Sequence, residues 1–212
     1  MNIRDIAALA AVIPVLKIVE LEHAVPLARA LTAGGLAAME ITLRTPVALA
    51  AIEAIRKGVP QAVIGVGGLT RAVDFAAADR VGARFGVAPG LTPELAAAAR
   101  GARFPLLPGI MTPTELIVAR HAGFNVLGLY PAEHAGGVAL LRTLAAAFPD
   151  VLFYPSGGIT RATAADYLAL PSVLCVGASW VAPAALMAAG DWAGIEALAR
   201  DAAALMRQTS SP

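Results

Sequence analysis

The stretch Met39-Glu40-Ile41-Thr42-Leu43-Arg44-Thr45-Pro46, running on as VALAAIEAIRKG to Gly58, contains the unit from which the chain is built. Its opening alternates apolar and polar side chains with period two, the pattern of a strand whose two faces meet different surroundings. Residues 37–42 therefore read as a strand. A Thr-Pro pair follows, offering a helix cap and a first-turn proline, and the Ala- and Ile-rich pattern after it closes on a glycine. Strand, short turn and helix make one β-then-α unit.

The unit recurs along the sequence. Further strands are expected at 12–18, 62–66, 84–88, 105–108, 124–129, 151–154 and 173–177, separated by helical runs such as TPELAAAARG, TPTELIVARHAG and GVALLRTLAAAFP. Eight such units without a domain-length linker predict one α/β domain over residues 1–212, closed as a (β/α)8 (TIM) barrel. An open doubly wound sheet would more often carry a GxGxxG turn after its first strand, and none stands there. The tail after Met206 is expected to fray.

Composition narrows the function classes. The chain is 58% hydrophobic with a net charge of +1, and it shows no Lys/Arg cluster interleaved with aromatics, which argues against a nucleic-acid surface. Its apolar content is broken into short runs, none near the ~20 residues of a membrane helix, and no signal peptide is read at the start. A single cysteine, Cys175, forms no internal disulfide and reads as a buried strand residue, compatible with a cytoplasmic location. His23, His121 and His134 are scattered without metal-ligand spacing, so no metal site is expected; the first two read as helix-surface residues and His134 as one near the barrel mouth.

In a parallel barrel the chemistry gathers at the C-terminal ends of the strands. Alternation places Glu40, Thr42 and Arg44 on one side of their strand, where a carboxylate and a guanidinium serve as acid–base group and anion clamp, or else as a structural ion pair. The glycine-rich turns Gly157-Gly158 and Gly177-Ala178-Ser179 follow the last two strands and suit an anion such as phosphate. The chain has fourteen Arg but only two Lys. Lys57 sits at the polar end of a helix. Lys17 lies in the apolar run Ile13-Pro14-Val15-Leu16-Lys17-Ile18-Val19, where burial would leave a neutral amine that attacks carbonyls. The alternatives for Lys17 are binding an anion and pairing with Glu40.

With these residues in place, the chain resembles the 2-keto-3-deoxy-6-phosphogluconate and 4-hydroxy-2-oxoglutarate aldolase family. The likeness runs through LEHAVPLARAL, MEITLRTP, APGLTPEL, LPGIMTPTEL, YPAEHAGG, YPSGGIT, YLALPSVLCVG and SW, nearly the whole chain. It implies a compact trimeric barrel that needs no cofactor and cleaves 2-keto-4-hydroxy acids to pyruvate and an aldehyde through a lysine imine. Glu40 resembles the family's acid–base glutamate, Arg44 its carboxylate-binding arginine, and Gly157-Gly158 with Gly177 through Ser179 its phosphate turns.

The sequence also departs from that pattern. The family's imine lysine precedes Phe-Pro by two residues, and here the stretch reads Gly128-Leu129-Tyr130-Pro131-Ala132-Glu133. Gly68 stands for a threonine, Ala88 before Pro89 for a serine, and Ser156 for a threonine. Together these predict an opened pocket lined by Arg44, Gly68, Pro89, Gly128, Tyr130, Tyr154 and Ser156. The nucleophile is then Lys17, relocated to the first strand, in an engineered aldolase or retro-aldolase for a bulky or aromatic β-hydroxyketone. Glu40, a water, Tyr130 or Tyr154 would move the hydroxyl proton. The competing expectations are a natural or inactivated keto-acid aldolase relative in which Lys17 only binds an anion, and a non-catalytic relative that binds a keto acid or phosphate without chemistry.

Overall fold

The computed structural model describes residues 1–209. Eight strands form in the order expected: β1 (Val12–Leu16), β2 (Ala38–Thr42), β3 (Val63–Gly67), β4 (Phe85–Ala88), β5 (Leu106–Ile110), β6 (Val126–Leu129), β7 (Leu152–Pro155) and β8 (Val176–Ala178). They pair in parallel in the order β7-β6-β5-β4-β3-β2-β1-β8, and the bridge Ser156↔Gly177 brings the two edges together. The result is a closed (β/α)8 barrel. Closure leaves no free sheet edge, and each crossover helix covers the outside of the wall.

Period-two alternation sorts the side chains into two cores. Outward-pointing Leu16, Met39, Ile41, Val66 and Leu127 pack under the helices with Leu27, Ile52, Leu116 and Leu141. Inward-pointing Ile13, Ala38, Phe85, Leu107, Val126 and Tyr154 fill the barrel, and Ile6 and Ala7 of the short helix Ile3–Ala7 pack against them. Filling one end of the barrel leaves the other free for a pocket. Among the described residues no helix is long and apolar enough to cross a membrane.

The strand boundaries correct the sequence reading at three places. β1 stops at Leu16, so Lys17 lies beyond the strand and is exposed. The last strand starts at Val176 rather than at residue 173. The long helix Trp192–Thr209 continues past Met206, and residues 210–212, the rest of the tail expected to fray, lie outside the described residues.

Two of the three Thr-Pro pairs cap as read. Thr92 accepts from Leu95 N, and Thr112 accepts from Glu115 N at 3.3 Å while Glu115 accepts from Thr112 N at 2.8 Å. This reciprocal box fixes the helix Pro113–His121 behind the end of β5. Thr45 behaves differently: its hydroxyl donates to the carbonyl of Ile18 at 2.7 Å, and its helix begins only at Ala48. It ties the β2 turn to the β1 turn instead of capping. Lys57 is an exposed last-turn residue paired with Glu53 at 2.7 Å, as expected of a solvated helix end.

Removing the Thr112 cap tests the link between sequence signal and local stability. Thr112→Ala is expected to cost about 1 kcal/mol, read as a lower urea midpoint with an unchanged slope.

Candidate active site

A cavity of about 300 Å³ opens at the C-terminal ends of the strands. Its floor is set by an inward pair. Glu40 on β2 is 5% exposed, and its Oε2 accepts a hydrogen bond at 3.1 Å from the hydroxyl of fully buried Tyr154 on β7. Neighbouring strands make room for the pair by lacking side chains. A Cβ at Gly67 would overlap Glu40 Oε1, and one at Gly177 would overlap the Tyr154 hydroxyl.

Burial decides the charge of this pair. Desolvation pushes the Glu40 carboxyl from 4.5 up to about 7, against the lowering effects of the Tyr154 hydrogen bond and the Arg44 charge. Tyr154 is pushed well above its usual 10, by burial and by the field of Glu40, so its hydroxyl stays a donor. A carboxyl poised near neutrality both takes and gives a proton, which is what general acid–base chemistry requires.

Around the pair lie Thr42, Arg44, Gly68, Pro89, Gly128, Tyr130, Ser156, Gly157, Gly158, Gly177, Ala178 and Ser179. The expected pocket is thus assembled from strands far apart in sequence. Arg44 stands exposed at the rim, and among the described residues Glu40 has no cationic partner within 4 Å, so the ion-pair reading gives way to the Tyr154 hydrogen bond. Gly157 and Gly158, with φ of 95° and 84°, form a left-handed turn at the mouth beside Glu133 and His134. Val15, Val87, Gly109 and Ile159 also line the cavity. Gly109 stands at a strand end where the sequence places chemistry; Val15, Val87 and Ile159 are not legible as site residues, although alternation from neighbouring residues reaches the first two.

Lys17 departs from expectation. Its place in an apolar run implied burial, but it is exposed and is not among the residues lining the cavity. The physical reason is the end of β1: the apolar neighbours Leu16 and Ile18 are buried in the helix-side core, and Lys17 between them turns toward water. Pairing of Lys17 with Glu40 fails on the same ground. Gly68 lies past the end of β3 with φ of 77°, a conformation L side chains rarely adopt, so the backbone favours glycine there; it also lines the cavity, with open space where a Cβ would stand. Cys175 is buried as expected, its thiol pushed up by desolvation, but it precedes β8 rather than lying in it.

Taken together, the barrel and its site define an enzyme-like TIM barrel, with one protonatable carboxyl buried in the floor of the pocket and glycine-rich backbone and Arg44 at its mouth. Residues 3–198 match the family described as KDPG and KHG aldolase. The chain belongs to that family, a group of metal-independent carbon–carbon lyases of the aldolase type. It is similar to the KHG/KDPG aldolase of Escherichia coli K12, with 47% identity over 191 residues and 90% of each chain covered. Among solved structures it is similar to the KDPG aldolase of Legionella pneumophila, captured with pyruvate as a covalent carbinolamine, with TM-score 0.94, 39% identity and 96% and 98% of the two chains covered. It is likewise similar to the 2-keto-3-deoxy-6-phosphogluconate aldolase of Zymomonas mobilis ZM4 with 3-phosphoglycerate, with TM-score 0.89, 43% identity and 95% and 94% covered.

The raised carboxyl has a consequence for stability. Because the folded value of Glu40 lies above the unfolded one, its contribution is fully present below pH 4.5 and is lost as the pH rises through about 7. Across that window the loss is on the order of 3 kcal/mol. Glu40→Gln is expected to flatten the fall in denaturant stability between pH 5 and 8.5 relative to the parent chain.

Proposed function

We propose that this chain cleaves a small 2-keto-4-hydroxy acid to pyruvate and an aldehyde, with Glu40 carrying the protons. The observation that carries this reading is the Glu40–Tyr154 pair on the floor of a closed barrel, its carboxyl raised to about 7. The substrate carboxylate pairs with Arg44, and a distal anionic group sits between the Gly157-Gly158 turn and the end of β8 at Gly177-Ala178-Ser179. The pyruvate carbinolamine in the Legionella relative and the 3-phosphoglycerate in the Zymomonas relative support a keto acid and a phosphate-bearing acid as the ligand classes.

The bond between C3 and C4 breaks as the C4 hydroxyl gives up its proton. The electron pair passes through C2 to a nitrogen that has replaced the keto oxygen, and the resulting enamine is protonated at C3. Glu40 moves these protons, and Tyr154 holds its carboxyl in position. The reading calls for no engineered origin and no aromatic substrate: Gly68 is accounted for by its backbone, and Tyr154 occupies the barrel interior. Sequence relatives at this level of identity support a small keto acid instead.

A second reading keeps the nitrogen on the chain, at Lys17. The observation that favours it is position: Lys17 stands two residues beyond Val15, which lines the cavity, at the mouth end of β1. The family resemblance also favours a homotrimer, and exposed Met111, Ile117, Val118 and Tyr130 offer apolar surface for it.

Two measurements check these statements. Pyruvate release from a racemic 2-keto-4-hydroxy acid is expected to fall at least a hundredfold in Glu40→Gln, and Arg44→Ala is expected to raise KM at least tenfold with less effect on kcat. Equal rates in Glu40→Gln and the parent chain would defeat the proposal. Light scattering is expected to give three times the 21.5 kDa chain mass.

A further inference from the structure

We infer that the pocket admits a small primary amine beside the keto acid, seated against Gly128, and that this amine supplies the imine nitrogen. The inference rests on the keto-acid reading above and names the missing reactant. Among the residues lining the cavity none carries an amine, because Lys17 is exposed outside it and Lys57 is bound to Glu53 on an outer helix. Yet the cleavage needs an electron sink at C2 better than a ketone.

Gly128 is where the wall is open. It is a buried residue of β6, it lines the cavity, and it is not among the glycines with positive φ, so the backbone does not demand glycine. Packing does not demand it either. A Cβ built there would meet Gly109 Cα and the Tyr154 carbonyl oxygen at 3.5 Å and the Pro108 carbonyl oxygen at 3.7 Å, all ordinary contacts. Gly109 opposite it is different, since a Cβ there would overlap the Pro89 carbonyl. Gly128 therefore leaves real space on the cavity wall. The gap is bordered by backbone of β5 and β7, and Glu40 lines the same cavity as the proton carrier.

The balance closes without a redox step. The amine adds to C2, and the carbinolamine takes a proton and loses water to give a protonated imine. The C4 hydroxyl proton leaves, the C3–C4 bond breaks, and the aldehyde departs. The enamine takes a proton at C3, and water then releases pyruvate and the intact amine. The amine is thus a recycled co-reactant.

The test follows pyruvate release from a 2-keto-4-hydroxy acid at fixed pH and ionic strength with rising methylamine, ethylamine or butylamine, against trimethylamine. The expected result is at least a tenfold, saturating rise with the two smaller amines, less with butylamine, and none with trimethylamine, which cannot form an imine. Gly128→Val, filling the space, is expected to lose at least tenfold of that rise, and the amine size series stands without the variant should it fold poorly. Quenching with borohydride should give N-alkylated alanine in solution with the chain mass unchanged. Equal rates in ethylamine and trimethylamine, or pyruvate fixed on Lys17 without added amine, would overturn the inference. Calorimetric titration with pyruvate separates the two levels: binding without an amine response defeats this inference alone, whereas no binding defeats the keto-acid reading as well.

Discussion

The hydrogen bond between Tyr154 and Glu40 is the constraint around which this barrel is arranged. It joins β7 to β2 across the interior, at 3.1 Å, with both side chains buried. A carboxyl there has few ways to be tolerated: an ion pair, a set of donors, or retention of its proton. The barrel uses one donor and a raised proton affinity. Its neighbours are shaped accordingly, with glycine at positions 67 and 177 where any side chain would strike the carboxyl or the hydroxyl. Packing, protonation and reactivity are therefore one problem at this spot.

From that pair outward the barrel divides into a filled end and an open end. Ile13, Ala38, Phe85 and Leu107 occupy the interior below, with Ile6 of the leading helix packed against them. Above, the strand ends supply short side chains and glycines, and the cavity is what their small size leaves. Charge increases toward the mouth, where Arg44 is exposed and the turn at Gly157 and Gly158 takes up left-handed backbone. A substrate with an anionic group at each end and a carbonyl in the middle matches this gradient. In the proposed placement its charged ends remain near water, and its reacting carbon lies over the Glu40 carboxyl.

The contrast between Gly68 and Gly128 shows how much depends on where a strand stops. In the sequence the two look alike, each a glycine in place of a family side chain. Gly68 falls past the end of β3 in a left-handed conformation, so a side chain could enter the open space beside it only at a backbone cost. Gly128 falls inside β6, in ordinary extended backbone, where a side chain would carry no such cost. Lys17 illustrates the same sensitivity. One residue beyond Leu16 is enough to move an amine from the barrel wall to solvent.

The sequence by itself determined the barrel, because eight repeats of a period-two strand and a capped helix admit few other closures, and alternation alone assigned Glu40, Thr42 and Arg44 to one face. It also placed the Gly157-Gly158 turn after β7, whereas Gly177 and Ala178, read as part of a turn after the last strand, are residues of β8 itself. Burial and partnership were decided only by the tertiary structure. Whether Lys17 is desolvated, whether Glu40 meets a cation or a phenol, and whether a glycine marks a turn or a hole depend on contacts between residues as far apart as 40 and 154. Local patterns report the direction in which a side chain points. Proton affinity and free volume are set by what the rest of the chain brings to meet it.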